Sequence, residues 1–334
     1  MIDWGIEAAE KYGLEITNAR RGRGSWIFET NQGLMLLKEY KGSVKRLEFE
    51  EAVLDAMKET GSLRVDQYIR NLEGELISTA EDGTRYLVKH WFSDRECDLK
   101  DRREILSVVR QIAVLHKSLR DVEVKEEWNL KSMISPPLYE AMEKHNRELR
   151  KARSFIRGKQ RKNEFELMVI ASYDQFYEQA REACCGLEEV YRQENDKIVQ
   201  KHFVCHGELN QHHLLIGDSY VAVTEFNKMH LGLQVEDLYY FMRKIMEKHD
   251  WDPELGVSML NAYERILPLR QVERECLYYL FLYPEKYWKQ INFYYNANKA
   301  WIPVRQTEKI QNLERQQEHR MEFLEMLQRE KRLS

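Results

Sequence analysis

Apolar positions fall into two regimes along the chain. They form short runs up to about residue 92 and longer stripes at helical spacing from Asp101 onward. In the first regime, residues 3–12 predict a short helix with Asp3 as N-cap and Ile6, Ala9 and Tyr12 loosely on one side. Strands are predicted at Glu15–Ala19, Trp26–Thr30 and Leu34–Tyr40. The first two are joined by Arg20-Arg21-Gly22-Arg23-Gly24-Ser25, the second and third by Asn31-Gln32-Gly33, a hairpin turn signal. A helix capped by Ser43 runs to Lys58, with Leu47, Glu51 and Leu54 on one face. Strands at Val65–Ile69 and Arg85–Phe92, with a further short one at Leu76–Ser78, complete a small sheet.

In the second regime Ile105, Val108, Val109, Ile112, Leu115 and Leu119 make a clean helical stripe with His116 beside it. Pro136-Pro137 breaks the chain, and a long helix is predicted from Leu138 to Phe155. The next runs from Glu164 to Cys185 and stops before Gly186, a C-cap signal, with a further turn or two over Leu187–Asn195. After Val204–Asn227, Val235–His249 is helical, and Pro253, Pro268 and Pro284 each sit where a first-turn proline starts a helix. The block from Tyr283 to Trp301 is dense in aromatics and reads as core. Residues 307–331 predict a charged terminal helix with Ile310, Leu313, Gln317, Met321, Leu324 and Leu327 on one side, lying along the body or pairing with another chain.

Composition narrows the classes. A chain of 334 residues, 43% hydrophobic and 32% charged, is globular and large enough for two domains. Its net charge of -4 gives no general attraction to nucleic acid or membrane. Residues Arg147 to Lys162 carry eight basic side chains against one acidic, read as a solvated helix face in preference to a nucleic-acid surface, because stacking aromatics do not interleave. No apolar run approaches the roughly 18 residues that a spanning helix needs, and the first residues lack a signal-peptide pattern. A cytoplasmic site of synthesis, without membrane partners, is the expectation. Five scattered cysteines without C-x-x-C indicate neither a disulfide framework nor a zinc module.

The chemistry concentrates in Val204–Asn227, where His206, Glu208, Asn210, His212 and His213 crowd one polar loop between apolar runs. Such a density of ligating and proton-accepting groups marks a candidate site more than a solvated turn. A transition-metal site from His206, Glu208, His212 and His213 is an alternative, weakened because adjacent histidines rarely bind one ion together. Lys38 ends the run L-M-L-L-K, as an exposed strand end or as a cation facing a ligand anion. Glu51, in an apolar stripe, needs a partner, for which Lys38 is the candidate; Glu48 is the second choice of helix glutamate, and a Glu51 reaching to solvent is the alternative. Gly22 and Gly24, among three arginines, read first as an ordinary turn and alternatively as backbone able to approach a phosphate.

These residues resemble a known superfamily. His206-Gly207-Glu208-x-x-x-x-His213 is similar to the H-G-D-x-x-x-x-N catalytic loop of aminoglycoside phosphotransferases and choline kinases. Thr224-Glu225-Phe226-Asn227 resembles their metal-binding I-D-F-D, Asp237-Leu238 their D-L-A helix start, and Lys38 with Glu51 their strand-lysine and helix-glutamate pair. Within that group the chain resembles the spore coat CotS family, through Trp91-Phe92-x-x-Arg95-Glu96-Cys97, Tyr283-Pro284-Glu285-Lys286-Tyr287-Trp288 and Asn292-Phe293-Tyr294-Tyr295. The resemblance covers nearly the whole chain.

It implies an α+β, two-lobed protein kinase-like fold. A small N-terminal antiparallel sheet plus helix (residues 1–92) would precede a larger, mainly helical C-terminal lobe (93–334) carrying the catalytic-loop hairpin at 204–227. It implies Glu208 and His206 as catalytic-loop residues, the latter structural, and Lys38, Glu51, Gly22 and Gly24 on the nucleotide side. Glu225 and His213 would stand at the metal. ATP and magnesium are the implied cofactors where the site functions, and none where it does not. Other spore coat proteins, or a small-molecule substrate if the site is active, are the implied partners, with the spore coat as location.

Three positions depart from the pattern. In active members the loop aspartate accepts the substrate proton, and the asparagine and later aspartate hold magnesium. Here they are Glu208, His213 and Glu225. Each Asp-to-Glu change moves the carboxylate out by about 1.5 Å, and a displacement of about 1 Å costs on the order of 100-fold where positioning supplies the rate. Imidazole also offers nitrogen where magnesium wants oxygen. The expectation is therefore a degenerate kinase with a structural or binding role, against the alternative of an ATP-dependent phosphotransferase on a small hydroxylated or amino substrate.

Overall fold

The computed structural model describes residues 7–59, 63–125, 128, 130–193, 202–296 and 304–333. By their packing these form two compact units. The first gathers the chain up to Asp98, Arg110–Met133 and His206–His230, and the second takes Leu99–Val109, Ile134–Cys205 and Leu231 onward. The expected first lobe, residues 1–92, thus shares its unit with the loop and hairpin that follow His206.

In the first unit, residues 7–10 are helical (α1); the expected cap Asp3 and Ile6 lie outside the described residues. The strands β1 (Ile16–Arg21), β2 (Trp26–Thr30), β3 (Gly33–Glu39) and β7 (Arg85–His90) follow the expected runs. They form an antiparallel sheet in the order β1-β2-β3-β7-β5, with β5 at Tyr68–Ile69 and β6 (Ser78–Thr79) also on β7. The predicted hairpin turn closes with Thr30 opposite Gly33, whose φ of 101° suits glycine.

Alternation along β3 gives the sheet its two faces. Met35 and Leu37 join Ala8, Ala9, Tyr12, Leu14, Phe28 and Val88 in one core cluster. Leu36 and Lys38 point the other way. Register sets Leu36 beside Lys89 and Lys38 beside Leu87, and Leu87 packs with Leu47 of α2 (Val44–Glu59). Ser43 caps α2 as expected, accepting the Arg46 N–H at 3.3 Å.

The segment expected as one strand at 65–69 is two. Arg64–Val65 (β4) pairs in parallel with Val221–Val223 (β11), whereas β5 stays with β7. Splitting at Asp66-Gln67 lets one stretch serve two sheets. The second sheet runs β4-β11-β10-β8, with β8 at Arg95–Glu96 and β10 at Leu214–Ile216.

The helix α3 (Arg102–Arg120) follows, and the second unit is built from α4 (Leu138–Gly158), α5 (Glu164–Gln193), α6 (Val235–Lys248), α7 (Pro253–Glu264), α8 (Gln271–Leu282), α9 (Glu285–Asn296), α10 (Val304–Arg315) and α11 (Gln317–Leu333). Gly186 does not end α5, as its residue type suggested. The helix runs through it, and a Cβ there would stand 2.2 Å from the Tyr279 ring. Glycine at this point serves helix packing. Pro253 starts α7 behind the Asp252 cap and Pro284 immediately precedes α9, but Pro268 starts nothing: α8 begins at Gln271 with a box between Arg270 and Glu273.

Of the aromatic block, Tyr283, Tyr287 and Tyr294 are core as expected, Phe293 is exposed, and residues 297–301 lie outside the described residues. Tyr287 stacks on Phe176 and donates to Val169 O at 3.0 Å, Tyr294 packs on Phe165, and Trp288 stacks on His145. The terminal helix is two helices meeting at Gln316, and α11 packs against α7 and α8 with Phe323 and Leu324 buried. Buried Arg320 holds it there, donating to Phe281 O at 2.8 Å and to Leu282 O, carbonyls at the negative end of α8. In the basic run, Arg153 pairs with Asp174 and Lys159 with Glu166, while Arg150, Lys151, Arg157 and Arg161 are exposed.

Candidate functional site

The first unit encloses a cavity of about 580 Å³, within the range of small-molecule sites. Its walls include Arg20 and Arg21 at the end of β1, Gly22 and Arg23 of the β1–β2 connection, Leu36 and Lys38 of β3, and Trp91 and Phe92 after β7. Glu208, His212, His213, Glu225 and Asn227 come from the polar loop and hairpin. The sequence-predicted residues Gly22, Lys38, Glu208, His213 and Glu225 therefore converge. Gly24 and Glu51 do not line this space, and His206 lies buried beneath it. In the second unit a cavity among α8, α9, α10 and α11 has a volume of about 30 Å³, room for a water and not for an organic ligand.

His206 organises the loop. Its Nε2 stands 3.0 Å from Thr224 O and its Nδ1 accepts the Glu208 N–H at 3.2 Å, which fixes the Nε2–H tautomer. Both nitrogens are thus committed to backbone, and the ring packs on Phe226 at 4.6 Å. Gly207 is required by space and conformation. Its φ is 85°, and a Cβ would meet Lys228 O at 2.1 Å. Asn210 accepts the His212 N–H at 2.9 Å and donates to Glu208 O at 2.9 Å, capping the short turn over Gln211–His213. Glu208 itself is exposed.

His213 Nδ1 lies 2.9 Å from Glu208 O. Burial lowers its pKa below the ordinary histidine value, with the neighbouring carboxylates and the Glu208 carbonyl only partly opposing, so the ring is held neutral. His212 takes a different partner: its Nδ1 meets Glu96 Oε2 at 2.7 Å, and Glu96 Oε1 accepts from Arg23 at 3.1 Å. Partial burial pushes the Glu96 carboxyl up, but His212 and Arg23 outweigh it and the net shift is downward.

The charge arrangement at the back of the cavity differs from the expected one. Lys38 does not reach Glu51; it forms an ion pair with Glu225, in which the two side chains are 25% and 14% exposed. Glu51 pairs with Arg70 instead. The fully buried carboxylate of α2 is Glu50, which accepts from Arg46 Nε at 2.9 Å and from Tyr68 OH at 2.8 Å. Both Glu50 and Glu51 lie three or four residues from Leu47 and Leu54, so helical spacing alone admits either.

Glu225 adopts a left-handed backbone (φ 66°, ψ 55°), a conformation costing a non-glycine residue about 1–2 kcal/mol. Asp66 Oδ2 stabilises it by accepting the Glu225 N–H at 2.9 Å, and the same oxygen bonds Lys89 Nζ at 2.8 Å. Two carboxylates so stand between two lysines, in the order Lys38, Glu225, Asp66, Lys89. Burial raises the Glu225 carboxyl, and the Lys38 ammonium and then Lys89 more than reverse that, leaving it below the usual carboxylate range. Burial pushes Asp66 up, against Lys89, and its Oδ1 has no hydrogen-bond partner among the described residues. Asp66 and Lys89 were not picked out from sequence. Their signal was present: Lys89 follows Leu87 at period two, as Lys38 follows Leu36.

Magnesium wants several oxygens in near-octahedral order. Among the described residues no three His, Cys, Asp or Glu side chains assemble a metal site. Glu225 is neutralised by Lys38, and His213 offers nitrogen. The residues present do not fit the ion.

A family model described as "Spore coat putative kinase YutH" matches residues 7–327. Among solved structures, the aminoglycoside phosphotransferase from Alicyclobacillus acidocaldarius superposes with a TM-score of 0.85 at 16% identity, covering 98% of this chain and 96% of that one. The AMP-bound spectinomycin phosphotransferase APH(9)-Ia gives 0.61 at 11% identity over 91% of each chain. A microcompartment-associated aminopropanol kinase gives 0.61 at 12% identity over 98% of each. At these identities the likeness is one of fold, and the fold is the kinase-like one expected from sequence.

Proposed function

The chain belongs to the spore coat putative kinase YutH family, and we propose that it serves the spore coat as a kinase-fold binding or structural component with little phosphotransfer. One observation carries this reading: Lys38 and Glu225 are paired with each other. In phosphotransfer the strand lysine holds phosphate while tethered to a helix glutamate, and the carboxylate after the hairpin holds magnesium. Here the helix glutamate Glu51 is with Arg70, and the lysine sits on the carboxylate that would take the metal. Glu208 and His213 add a displaced base and a nitrogen donor at the two other positions that chemistry needs. Its four cations, Arg20, Arg21, Arg23 and Lys38, are matched by four carboxylates, Asp94, Glu96, Glu208 and Glu225, so the site keeps its charges with no surplus of either sign.

A second reading has its own support. Glu208, Glu225 and Lys38 line one cavity, so a phosphotransferase on a small hydroxylated or amino substrate, of the kind its fold neighbours act on, would find a base, a ligand carboxylate and a cation in one place. It would require ATP and an ion that the donor set does not suit.

Replacing Glu208 separates the two. Spores carrying Glu208→Gln in place of the native chain should assemble a coat like that of the parent, because the exposed carboxylate is dispensable to a binding role. A coat matching that of a deletion strain, with the variant present at normal levels, would contradict the proposal.

A further inference from the structure

A second concavity of the first unit lies between α2 and the turn that follows β5, and none of its residues lines the cavity of Lys38 and Glu225. Its volume is about 200 Å³. That is below the roughly 300–1,000 Å³ of small-molecule sites and suits about one or two anchoring side chains of a partner. Val44 and Glu48, one helical turn apart on α2, form one wall, and Arg70, Gly74 and Glu75 form the other. Leu76 and Ile77 complete an apolar part with Val44, which is 51% exposed. The walls are ordered in advance. Arg70 braces them, donating from Nε to Glu51 of α2 at 2.9 Å and from Nη1 to Gly74 O at 2.8 Å. Asn71 Oδ1 accepts the N–H groups of Glu73 at 3.0 Å and Glu75 at 2.8 Å, which fixes the turn. A partner therefore meets a groove whose ordering cost is already met.

Charge identifies the partner. The lining holds two carboxylates, Glu48 and Glu75, and one cation, Arg70, which Glu51 already neutralises. Glu48 and Glu75 are exposed, and among the described residues neither side chain has an ion pair or hydrogen bond. Their surplus is not cancelled nearby, since the flanking Lys45 and Glu73 offset each other. We propose that this groove docks a segment of a basic partner protein, an aliphatic side chain entering against Val44, Leu76 and Ile77 while adjacent lysine or arginine side chains meet Glu48 and Glu75. The acidic rim repels nucleic acid and anionic lipid. It also disfavours a second copy docked by the same face, because a two-fold interface would bring acidic rim against acidic rim. The surface is apart from the cavity, so the inference stands or falls independently of how Lys38 and Glu225 are read.

Selection of displayed random dodecapeptides on the full chain, with counter-selection on a variant carrying Glu48→Lys and Glu75→Lys, tests this. The peptides retained should place Leu, Ile or Val beside Lys or Arg. A synthetic peptide of that class, followed by fluorescence anisotropy, should bind the double variant about tenfold or more weakly. Val44→Ser, which removes only apolar contact, should cost about threefold or more. All three substitutions fall on exposed side chains, and an unchanged melting temperature verifies the fold. Should the double variant melt at lower temperature, Glu75→Gln alone should still weaken the peptide by about threefold, since the Asn71 side chain holds that turn through the backbone. Recovery of acidic or uncharged peptides, equal binding by parent and double variant, or no peptide that survives counter-selection would each overturn the proposal.

Discussion

His213 stands where the related catalytic loops carry asparagine, and its environment keeps it uncharged. A histidine whose folded pKa is depressed contributes stability that is present above the unfolded value, about 6.5. That stability is lost as pH falls through the folded value. The His213 contribution to the melting temperature should therefore drop between pH 7 and pH 5, and His213→Asn should shift the pH profile upward at the acid end relative to the parent. The lowered His90 and His145 contribute to the remainder. Equal slopes for variant and parent would refute the assignment. At this scale the sequence was informative about which residues meet and poor on how charges pair. Lys38, Glu208, His213 and Glu225 were recognisable from motif spacing. That Lys38 turns to Glu225 and Glu50 is the buried glutamate of α2 was not, because helical spacing admits two neighbouring positions and the choice depends on Arg46, Tyr68 and Arg70, distant in the chain or ambiguous in direction.

Among the elements, strands were legible where apolar alternation was long, as in β2, β3 and β7, and less so where one stretch feeds two sheets, as at Asp66-Gln67. Gly186 is the instructive failure. Glycine after a helical stripe is a stop signal locally, but here it makes room for Tyr279 of α8, a contact far along the chain that no local pattern records. The two roles predict different energetics. Gly186→Ala should destabilise the chain by about 1–3 kcal/mol through overpacking. In a Tyr279→Ala background the same change should become stabilising, by up to about 1 kcal/mol, from helix propensity. Urea unfolding of the four proteins checks this, and a destabilisation that persists without the Tyr279 ring would point back to a cap.

For the whole molecule, the order of a sheet with one helix, a helical stretch and a polar hairpin was enough to expect the kinase-like fold, and the motifs were enough to name the family. What lay beyond the sequence is the chain of four charges at the back of the cavity, which joins β3, the stretch between β4 and β5, β7 and the second residue after β11. That arrangement is the basis for reading the site as one whose carboxylate at the metal position is committed to a lysine. The most direct test is the initial rate of magnesium-dependent ATP consumption by the purified chain, measured beside Glu225→Ala with small amino and hydroxyl acceptors present. The two rates should be indistinguishable and at background. Magnesium-dependent turnover by the native chain that disappears in Glu225→Ala would contradict the non-catalytic reading.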